Sequence, residues 1–356
     1  MICILIGVVP PSEKSWEIVK DTILTVNDIP VEWRDHSIAN DEGTPTLIIQ
    51  ALTEASPTKV VEEVQAKIKQ EIRDNKNQNT KVSCEIWATA PAPLPLQPRN
   101  GYEDILKYKS NDSTIWTDWA EKTIRKWGII TQEKILHSNQ LTKLSSLVHD
   151  AITQTEKTFE KHRPDIQIGK DSFCFKEIAS RNLERFDLRL KDDETVNFVD
   201  KHIFHHADVS LLLQRSLGLL SDIDCDISVV YSRPGACAQG WHADGSHQTG
   251  ANDAGWTEDG WRTQLEDPYA ICLFLPLIDL NDNVGFTQFW PGSHRSKNFL
   301  GFGQVANITE STFDGKCNAG DGVWYDYRLL HRGMPNKSKM IRPVLQVIFK
   351  KKWLLH

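Results

Sequence analysis

The first part of the chain alternates short β-rich runs with one helical pattern. The helical pattern begins at Ser56-Pro57, a capping residue followed by proline, and repeats apolar residues every four positions at Val60, Val64, Ile68 and Ile72. The β-rich runs are bounded by turn-forming residues and predict strands at 2–9, 31–36, 46–52 and 81–88. We therefore expect a small α+β domain over residues 1–96.

Prolines punctuate the next segment. Pro91, Pro93, Pro95 and Pro98 favour a stiff, extended backbone, which is typical of a connection between domains. We expect a Pro-rich linker over residues 97–112 and a second domain over residues 113–356.

The second domain begins with helical patterns and ends with strands. Apolar residues at helical spacing predict scaffold helices over 116–127 and 140–159. From Ile227 onward, short β-branched or aromatic runs are separated by Gly, Pro, Asn and Asp, and they predict strands at 227–231, 269–277, 322–327 and 343–349. Many short strands with turn-rich connections are typical of a sandwich or a closed jelly roll. The predicted fold class is therefore α+β with a β-rich core.

Composition and charge narrow the range of partners. The 356 residues are 40% hydrophobic and 25% charged, which is typical of a globular protein. A formal net charge of -7 gives no general attraction to polyanions, so we expect no nucleic-acid partner. No apolar run approaches the length that spans a bilayer, and the apolar start at 2–9 lacks the positive flank and small-residue cleavage site of a secretory signal.

The cysteines indicate the redox environment. There are seven of them, an odd number, scattered and without a C-x-x-C pair. Free thiols in a reducing compartment are the simplest interpretation. We expect a cytoplasmic protein without membrane contact.

Two histidines and one carboxylate form the pattern with the clearest chemical meaning. A mononuclear iron that must also bind a chelating co-substrate and O2 keeps only three protein ligands, two histidines and one carboxylate on one face of its octahedron. His242 and Asp244 lie two residues apart, and on a strand such residues project to the same side. His331, between the last two predicted strands, is expected to supply the third ligand.

The chain also contains a second His-x-Asp pair, His206 and Asp208. With twelve histidines, about one such pair is expected by chance. This second pair precedes a helical pattern, where Asp208 is expected to be the N-cap rather than a ligand. The neighbouring His202 and His205 are interpreted in the same way, as surface or helix-end residues.

An arginine close to His331 distinguishes the first pair from the second. Arg342 follows His331 by eleven residues and begins the last predicted strand. A dicarboxylate such as 2-oxoglutarate chelates iron through its keto-acid end, and a guanidinium can bind the other carboxylate through two parallel hydrogen bonds. The alternative for Arg342 is a surface ion pair.

Four sequence blocks, taken in order, carry a family resemblance. They are residues 239–245 (QGWHADG), 287–295 (TQFWPGSHR), 320–333 (GDG leading into DYRLLHRG) and 342–343 (RP). This text resembles the phytanoyl-CoA dioxygenase-like family of Fe(II)/2-oxoglutarate oxygenases over roughly residues 115 to 353. The resemblance implies a double-stranded β-helix, the jelly roll that the strand pattern favours. It says nothing about the N-terminal domain.

The resemblance also implies an activity. Fe(II), 2-oxoglutarate and O2 would oxidise a C–H bond of a small-molecule substrate, with release of succinate and CO2. Hydroxylation is the leading expectation, because related halogenases lack the carboxylate ligand and Asp244 is present here. Desaturation and oxidative ring closure, as in a kainoid-type synthase, are variants. By position in the family pattern, Tyr231 and Thr287 are expected to line the co-substrate pocket, and His294 to be a structural turn residue.

Two other classes of function stay open at this point. One is a cupin-like metalloenzyme that uses the same ligands without 2-oxoglutarate, against which Arg342 counts. The other is a non-catalytic binding protein on the same fold, against which the intact set of three ligands counts. The oligomeric state and the role of the N-terminal domain are not indicated by the sequence.

Overall fold

A computed structural model describes residues 101–245, 267–295, 306 and 311–352 in full. It also describes the backbone of four strands before residue 92 and the helical residues 62, 66 and 70. Those three residues lie within the helix predicted after Ser56, whose apolar face falls outside the described residues.

The chain forms two compact units, and the first contains a four-stranded antiparallel sheet in the order β2-β3-β1-β4. The first predicted strand is confirmed, and the others are shifted by one to three residues at their ends. The strands are β1 Ile2–Val9, β2 Arg34–Ala39, β3 Pro45–Thr53 and β4 Ser83–Pro91. The second unit contains residues 101–245, 267–295 and 312–352, and its first helix lies inside the predicted linker. The exact domain boundaries stay a prediction.

Capping residues mark where helices of the second unit begin and end. The side chain of Asp112 accepts hydrogen bonds from the backbone of Thr114 and Ile115, and Gly128 ends the same helix in a left-handed conformation with φ of +75°. Both predicted scaffold helices are therefore confirmed, with slightly longer ends. The helices are α1 Glu103–Leu106, α2 Ser113–Trp127, α3 Ser138–His162, α4 Asp193–Val199, a π-helical turn Asp200–Phe204, and α5 Ala207–Leu217.

Two antiparallel sheets form the β part of this unit. The major sheet has the order β5-β12-β9-β14-β8-β7-β6, and the minor sheet has the order β11-β10-β13. The strands are β5 Ile129–Gln132, β6 Ile178–Asn182, β7 Arg185–Arg189, β8 Ile223–Ser232, β9 Ala270–Pro276, β10 Thr287–Phe289, β11 Phe313–Asp314, β12 Gly322–Asp326, β13 His331–Gly333 and β14 Arg342–Lys351. All four strands predicted after Ile227 are present.

The two faces of the major sheet have different neighbours. One face packs on the helices through a core that includes Ile124, Val148, Leu212 and Val347. The other face meets the minor sheet, where Phe289 and Tyr325 lie with ring centroids 5.3 Å apart. Two facing antiparallel sheets with helices behind one of them form the expected double-stranded β-helix. The functional candidates lie between the sheets.

The structure also bears on two further expectations, those for the cysteines and for membrane-spanning helices. The five cysteines whose side chains are described, Cys174, Cys225, Cys237, Cys272 and Cys317, are all free. In the described part of the chain no helix is long and apolar enough to cross a membrane.

Candidate active site

His242 and His331 are brought together by a single rung of antiparallel pairing. Each residue donates its backbone N–H to the carbonyl of the other, at 3.0 and 2.8 Å, and the two rings lie 4.5 Å apart. The Nδ1 of His242 is 2.9 Å from the carbonyl oxygen of Gly240, and the Nδ1 of His331 is 2.9 Å from that of Leu329. A carbonyl can only accept, so each neutral ring carries its proton on Nδ1 and keeps a lone pair on Nε2.

Asp244 completes the group. Its Oδ2 lies 3.6 Å from Nε2 of His331 and accepts a hydrogen bond of 2.9 Å from the hydroxyl of Tyr325. Candidate ligand atoms of His242, Asp244 and His331 all lie within 4.8 Å of one another, and within the described residues this is the one such cluster.

The local backbone differs from the expectation in one respect. His242 and Asp244 are not on a regular strand, because His242 forms an isolated bridge and Asp244 lies in the bend that follows. The bend is held by the backbone N–H of Gly245, which donates to the carbonyl of Tyr327 at 2.8 Å. The two side chains therefore converge through a bridge and a bend rather than through strand alternation.

Burial sets the protonation states around this group. His331 is 3% exposed, and burial lowers its pKa to about 4, against the opposing attraction of Asp244. Burial, followed by the charge of Asp244, raises the pKa of Tyr325 well above its usual range. Near neutral pH, His331 is therefore an uncharged imidazole and Tyr325 a phenol that donates to Asp244.

Arg342 begins β14 and is buried rather than placed at the surface. It is 3% exposed, and its Nη1 donates to the carbonyl oxygen of Met334 at 3.1 Å. It forms no ion pair with any described residue, so the surface ion pair considered above is not what the structure contains. Burial, and then the nearby charge of Arg185, lowers the pKa of Arg342 to about 9.

One cavity of about 260 Å³ joins these residues, and we refer to it as the site cavity. Its lining includes His242, Asp244, His331, Arg342 and Thr287. The structure therefore brings five of the six residues singled out from the sequence to one place.

Tyr231 is the sixth, and it does not line the site cavity. Its ring is fully buried on the helix-facing side of the major sheet, where it stacks on Phe186 at 5.0 Å and donates to Glu156 at 2.9 Å. The adjacent residue Val230 lines the cavity instead. Neighbouring residues on a strand face opposite sides, so the expected strand parity was off by one residue.

The second His-x-Asp pair also has a structural place. The helix α5 begins at Ala207 with His206 as N-cap, so the expectation that Asp208 is the N-cap is wrong. The reason is the extended backbone of His206, with φ of -64° and ψ of 136°, after which the helix starts at once. Asp208 accepts a long hydrogen bond of 3.4 Å from Gln132 and takes part in no metal-binding cluster of the described chain.

Three other residues, His294, Tyr325 and Arg185, lie in or next to the site. His294 is buried behind the turn before His331, with its Nε2 3.1 Å from the carbonyl oxygen of Arg125, which agrees with a structural role. Tyr325 and Arg185 contact the site but were not singled out from the sequence. Arg185 is fully buried and lines the site cavity.

A family model described as phytanoyl-CoA dioxygenase (PhyH) matches residues 147–344, which is more than half of the chain. The chain belongs to this family. It is therefore an oxygenase that depends on iron and 2-oxoglutarate, as its His–Asp–His group and buried arginine would suggest.

Solved structures similar to this PhyH-family oxygenase include enzymes with several reactions. One is the non-heme α-ketoglutarate-dependent epimerase SnoN from nogalamycin biosynthesis, with 12% identity, a TM-score of 0.45, and 67% of this chain and 84% of that chain covered. Another is the carbocyclase SnoK from the same biosynthesis, with 16% identity, a TM-score of 0.44, and 68% and 88% covered. A third is EctD from S. alaskensis with bound Fe, with 14% identity, a TM-score of 0.44, and 72% and 83% covered. The family assignment rests on the family model.

Proposed function

We propose that His242, Asp244 and His331 bind Fe(II), and that Arg342 binds the far carboxylate of 2-oxoglutarate, with Thr287 in the same pocket. The reaction is oxidation of a C–H bond of a small-molecule substrate, with hydroxylation as its simplest form and with release of succinate and CO2. The observation that carries this proposal is the meeting of three metal-type donors and one buried cation in a single cavity.

The donor set fits an iron ion. In the neutral form, each of the two imidazoles presents a free Nε2 lone pair, and the carboxylate is oriented by a phenol, which is the usual support for a metal-binding side chain. Bonds of roughly 2 Å to one octahedral ion place neighbouring donors about 3 Å apart. The candidate ligand atoms of the three side chains all lie within 4.8 Å of one another, which is close enough for all three to face one ion.

The residues of the chain have distinct tasks in this scheme. When bound, iron and 2-oxoglutarate supply the activation of O2, coupled to conversion of the co-substrate to succinate and CO2. Tyr325 holds the carboxylate of Asp244 in place, and the carbonyls of Gly240 and Leu329 fix the tautomers of the two histidines. His331 and Arg342 are each 3% exposed, so one metal-binding candidate and the anion-binding candidate both lie away from bulk solvent.

The same arrangement disfavours the rival functions. A cupin-like enzyme that does not use 2-oxoglutarate has no need of a buried guanidinium beside its metal, and burial of such a charge is costly without an anion. A non-catalytic binding protein has no need of two tautomer-fixed histidines and an oriented carboxylate. Desaturation and ring closure differ from hydroxylation in the fate of the substrate, and they stay variants of the proposed reaction.

Replacement of the metal-binding candidates tests the first part of the proposal. His242→Ala, Asp244→Ala and His331→Ala are each expected to abolish iron-dependent turnover of 2-oxoglutarate, measured as succinate release, which requires no knowledge of the substrate. The matched control is His206→Ala, which removes a histidine from the other His-x-Asp pair. An inactive His206→Ala together with an active His242→Ala would reverse the assignment.

Substitutions at Arg342 test the second part of the proposal, which is the binding of 2-oxoglutarate. Stranding one charge of a buried pair costs roughly 3–5 kcal/mol, so Arg342→Ala should weaken 2-oxoglutarate binding by about two to four decades and leave Fe(II) binding intact. Arg342→Lys keeps the charge but loses the fork, and its affinity should be intermediate. An anaerobic titration of the Fe(II)–2-oxoglutarate charge-transfer band reports both. Unchanged 2-oxoglutarate affinity in Arg342→Ala would reopen the cupin-like alternative.

A further inference from the structure

A second cavity of about 400 Å³ adjoins the site cavity, and we refer to it as the outer cavity. Its volume falls in the usual range for small-molecule sites, roughly 300–1,000 Å³. Arg181, Asp244 and Gln346 line both cavities. A molecule in the outer cavity therefore has access to the candidate iron site beside Asp244.

Strand β14 separates the outer cavity from the candidate co-substrate arginine. Arg342, Gln346 and Ile348 lie on one face of this strand, because they are separated by even numbers of residues. Arg342 lines the site cavity, Gln346 lines both cavities, and Ile348 lines the outer cavity. A co-substrate held by Arg342 thus leaves the outer cavity free for another molecule.

A row of polar side chains connects the outer cavity to solvent. Arg189 on β7 lies opposite Ser228 on β8, and Ser228 lies opposite Gln346 on β14. Directly opposed residues of antiparallel strands project to the same face. Ser228 and Gln346 are buried, and the Oγ of Ser228 donates to Oε1 of Gln346 at 3.1 Å, whereas Arg189 is exposed. The row spans two strand spacings, roughly 10 Å.

A second cation lies beside Arg189 at the exposed end of this row. The backbone N–H of Leu190 donates to the carbonyl of Ile227 at 3.0 Å, so the chain continues along β8 beyond the end of β7. Lys191 is two residues after Arg189 and therefore lies on the same side. Both residues line the outer cavity, and both are exposed.

The acidic residues of the outer cavity already have partners. Asp187 accepts hydrogen bonds of 3.2 and 2.5 Å from Arg181, and Asp226 accepts one of 2.5 Å from Lys350. The two basic residues at the exposed end form no ion pair with any residue that the structure describes. The whole chain has a formal net charge of -7, so this unbalanced positive charge is a local feature.

We propose that the outer cavity binds the substrate, and that Arg189 and Lys191 bind an anionic group of that substrate, a carboxylate or a phosphate. This proposal rests on the function proposed above. The anionic group lies at the exposed end of the polar row, and the rest of the molecule extends past Gln346 toward Asp244. A charge held far from the reacting C–H bond orients the substrate relative to the iron site.

The first experiment compares probes that differ only in charge. The full-length protein is loaded with 2-oxoglutarate and with Mn(II) in place of Fe(II), so that Arg342 is occupied and no turnover occurs. Hexanoate and the uncharged hexanamide are then titrated, and binding is measured by saturation-transfer NMR. Hexanoate should bind about fivefold or more tighter than hexanamide. Hexyl phosphate is titrated in parallel, and an affinity about tenfold or more above that of hexanoate would identify a phosphate rather than a carboxylate.

Substitutions locate the preference for the anion. Arg189→Gln and Lys191→Gln should each weaken hexanoate binding by about two- to fivefold, as expected for exposed charge pairs, and leave hexanamide binding unchanged. In the double variant the two probes should bind within about twofold of each other. The charge-matched control is Lys157→Gln with Lys161→Gln, which removes two exposed lysines of α3 that do not line the outer cavity.

The second experiment reads the orientation of hexanoate from paramagnetic broadening by Mn(II), which falls steeply with distance. The terminal methyl signal should broaden more than the signal of the methylene next to the carboxylate, because the carboxylate lies at the far end of the row. Stronger broadening of that methylene would mean that the carboxylate binds the metal, and this would overturn the proposal.

Other outcomes are equally decisive. Equal binding of hexanoate and hexanamide by the parent, no binding of either anionic probe, or an equal loss in the control variant would each overturn the proposal. The same holds if Arg342→Gln, rather than the double variant, removes the preference for hexanoate. If Mn(II) does not bind, no signal broadens and the proposed function fails. Saturation transfer needs no metal, so it still decides whether Arg189 and Lys191 bind an anion.

Discussion

The hydroxyl of Tyr325 provides a sharp test of how the candidate iron site is held. Tyr325 is completely buried on β12 and donates to Oδ2 of Asp244 at 2.9 Å, while its ring lies 5.0 Å from that of His331. Tyr325→Phe removes one oxygen and keeps the ring packing. Any change in metal binding therefore reports on the hydrogen bond.

The expected size follows from the type of bond. A hydrogen bond to a charged group contributes roughly 1.5–3 kcal/mol, and loss of a residue that orients a metal ligand typically weakens metal binding by about 10- to 100-fold. Tyr325→Phe should therefore lower Fe(II) affinity by one to two decades, on the order of 1.4 kcal/mol for each decade. The measurement is an anaerobic competition titration against a chelator of known affinity.

Tyr231→Phe is a closely matched control. It also removes a buried hydroxyl that donates to a carboxylate, here Glu156, but it lies on the opposite face of the major sheet. Both variants should lose some stability, yet Tyr231→Phe should leave the affinities for iron and 2-oxoglutarate within about twofold of the parent. Normal iron binding by Tyr325→Phe, or weak 2-oxoglutarate binding by Tyr231→Phe, would refute this account of the site.

Three further outcomes are expected. Asp244→Gly should end hydroxylation and leave room for a halide, and succinate release at the parent rate with unaltered iron affinity would contradict a ligand role for Asp244. Burial lowers the pKa of His294 from 6.5 to about 4, so its neutral form stabilises the fold fully above pH 6.5 and that contribution is lost as the pH falls toward 4. At about pH 5 the loss amounts to about 2 kcal/mol, which urea unfolding of the parent and of His294→Gln at two pH values would reveal. A Cβ at Gly128 would lie 2.5 Å from His294 and 2.8 Å from Leu329, whereas a Cβ at Gly235, which also has a positive φ, would meet open space. The free energy of unfolding of Gly128→Ala should therefore be lower than that of Gly235→Ala by about 1 kcal/mol or more. Equal unfolding midpoints for the two alanine variants would contradict the steric argument.

Much of the fold could be predicted because apolar periodicity directly reflects burial. The last strand was expected at 343–349 and extends over Arg342–Lys351. Its polar end was missed because Lys350 continues the ladder opposite Asp224 and pairs with Asp226, a contribution that no apolar pattern records. The short strands β10 and β13 were also missed, because three residues give no readable period.

The site was predictable to the extent that its residues form local motifs. His242, Asp244, His331 and Arg342 could be selected by spacing and order along the chain, and the structure brings them to one cavity. Tyr231 could not be placed correctly, because its facing depends on the register between β8 and β14, where Pro343 lies opposite Tyr231. A shift of one residue in that register reverses every side chain.

Arg185 illustrates a different difficulty. It alternates with Phe186 and Leu188 in a pattern typical of a strand with one buried face and one solvated face. The structure buries both faces at Arg185, since the second faces the site cavity. The sequence signal for the strand was present, but nothing local distinguishes an inward-facing arginine from a solvated one.

The rung that joins His242 to His331 has a dynamic consequence. These histidines are far apart in sequence, and each is held to the other by a backbone hydrogen bond as well as by a shared ion in the proposed holoenzyme. Local opening of the rung separates the two side chains, so release of the ion and exposure of the two amides to solvent become one event. Bound metal then slows the exchange of these amide hydrogens by a factor of about one plus the ratio of the metal concentration to Kd. The hydrogen-exchange rate of the backbone amide of His331 therefore reports how often the site opens and how much the bound ion suppresses that opening.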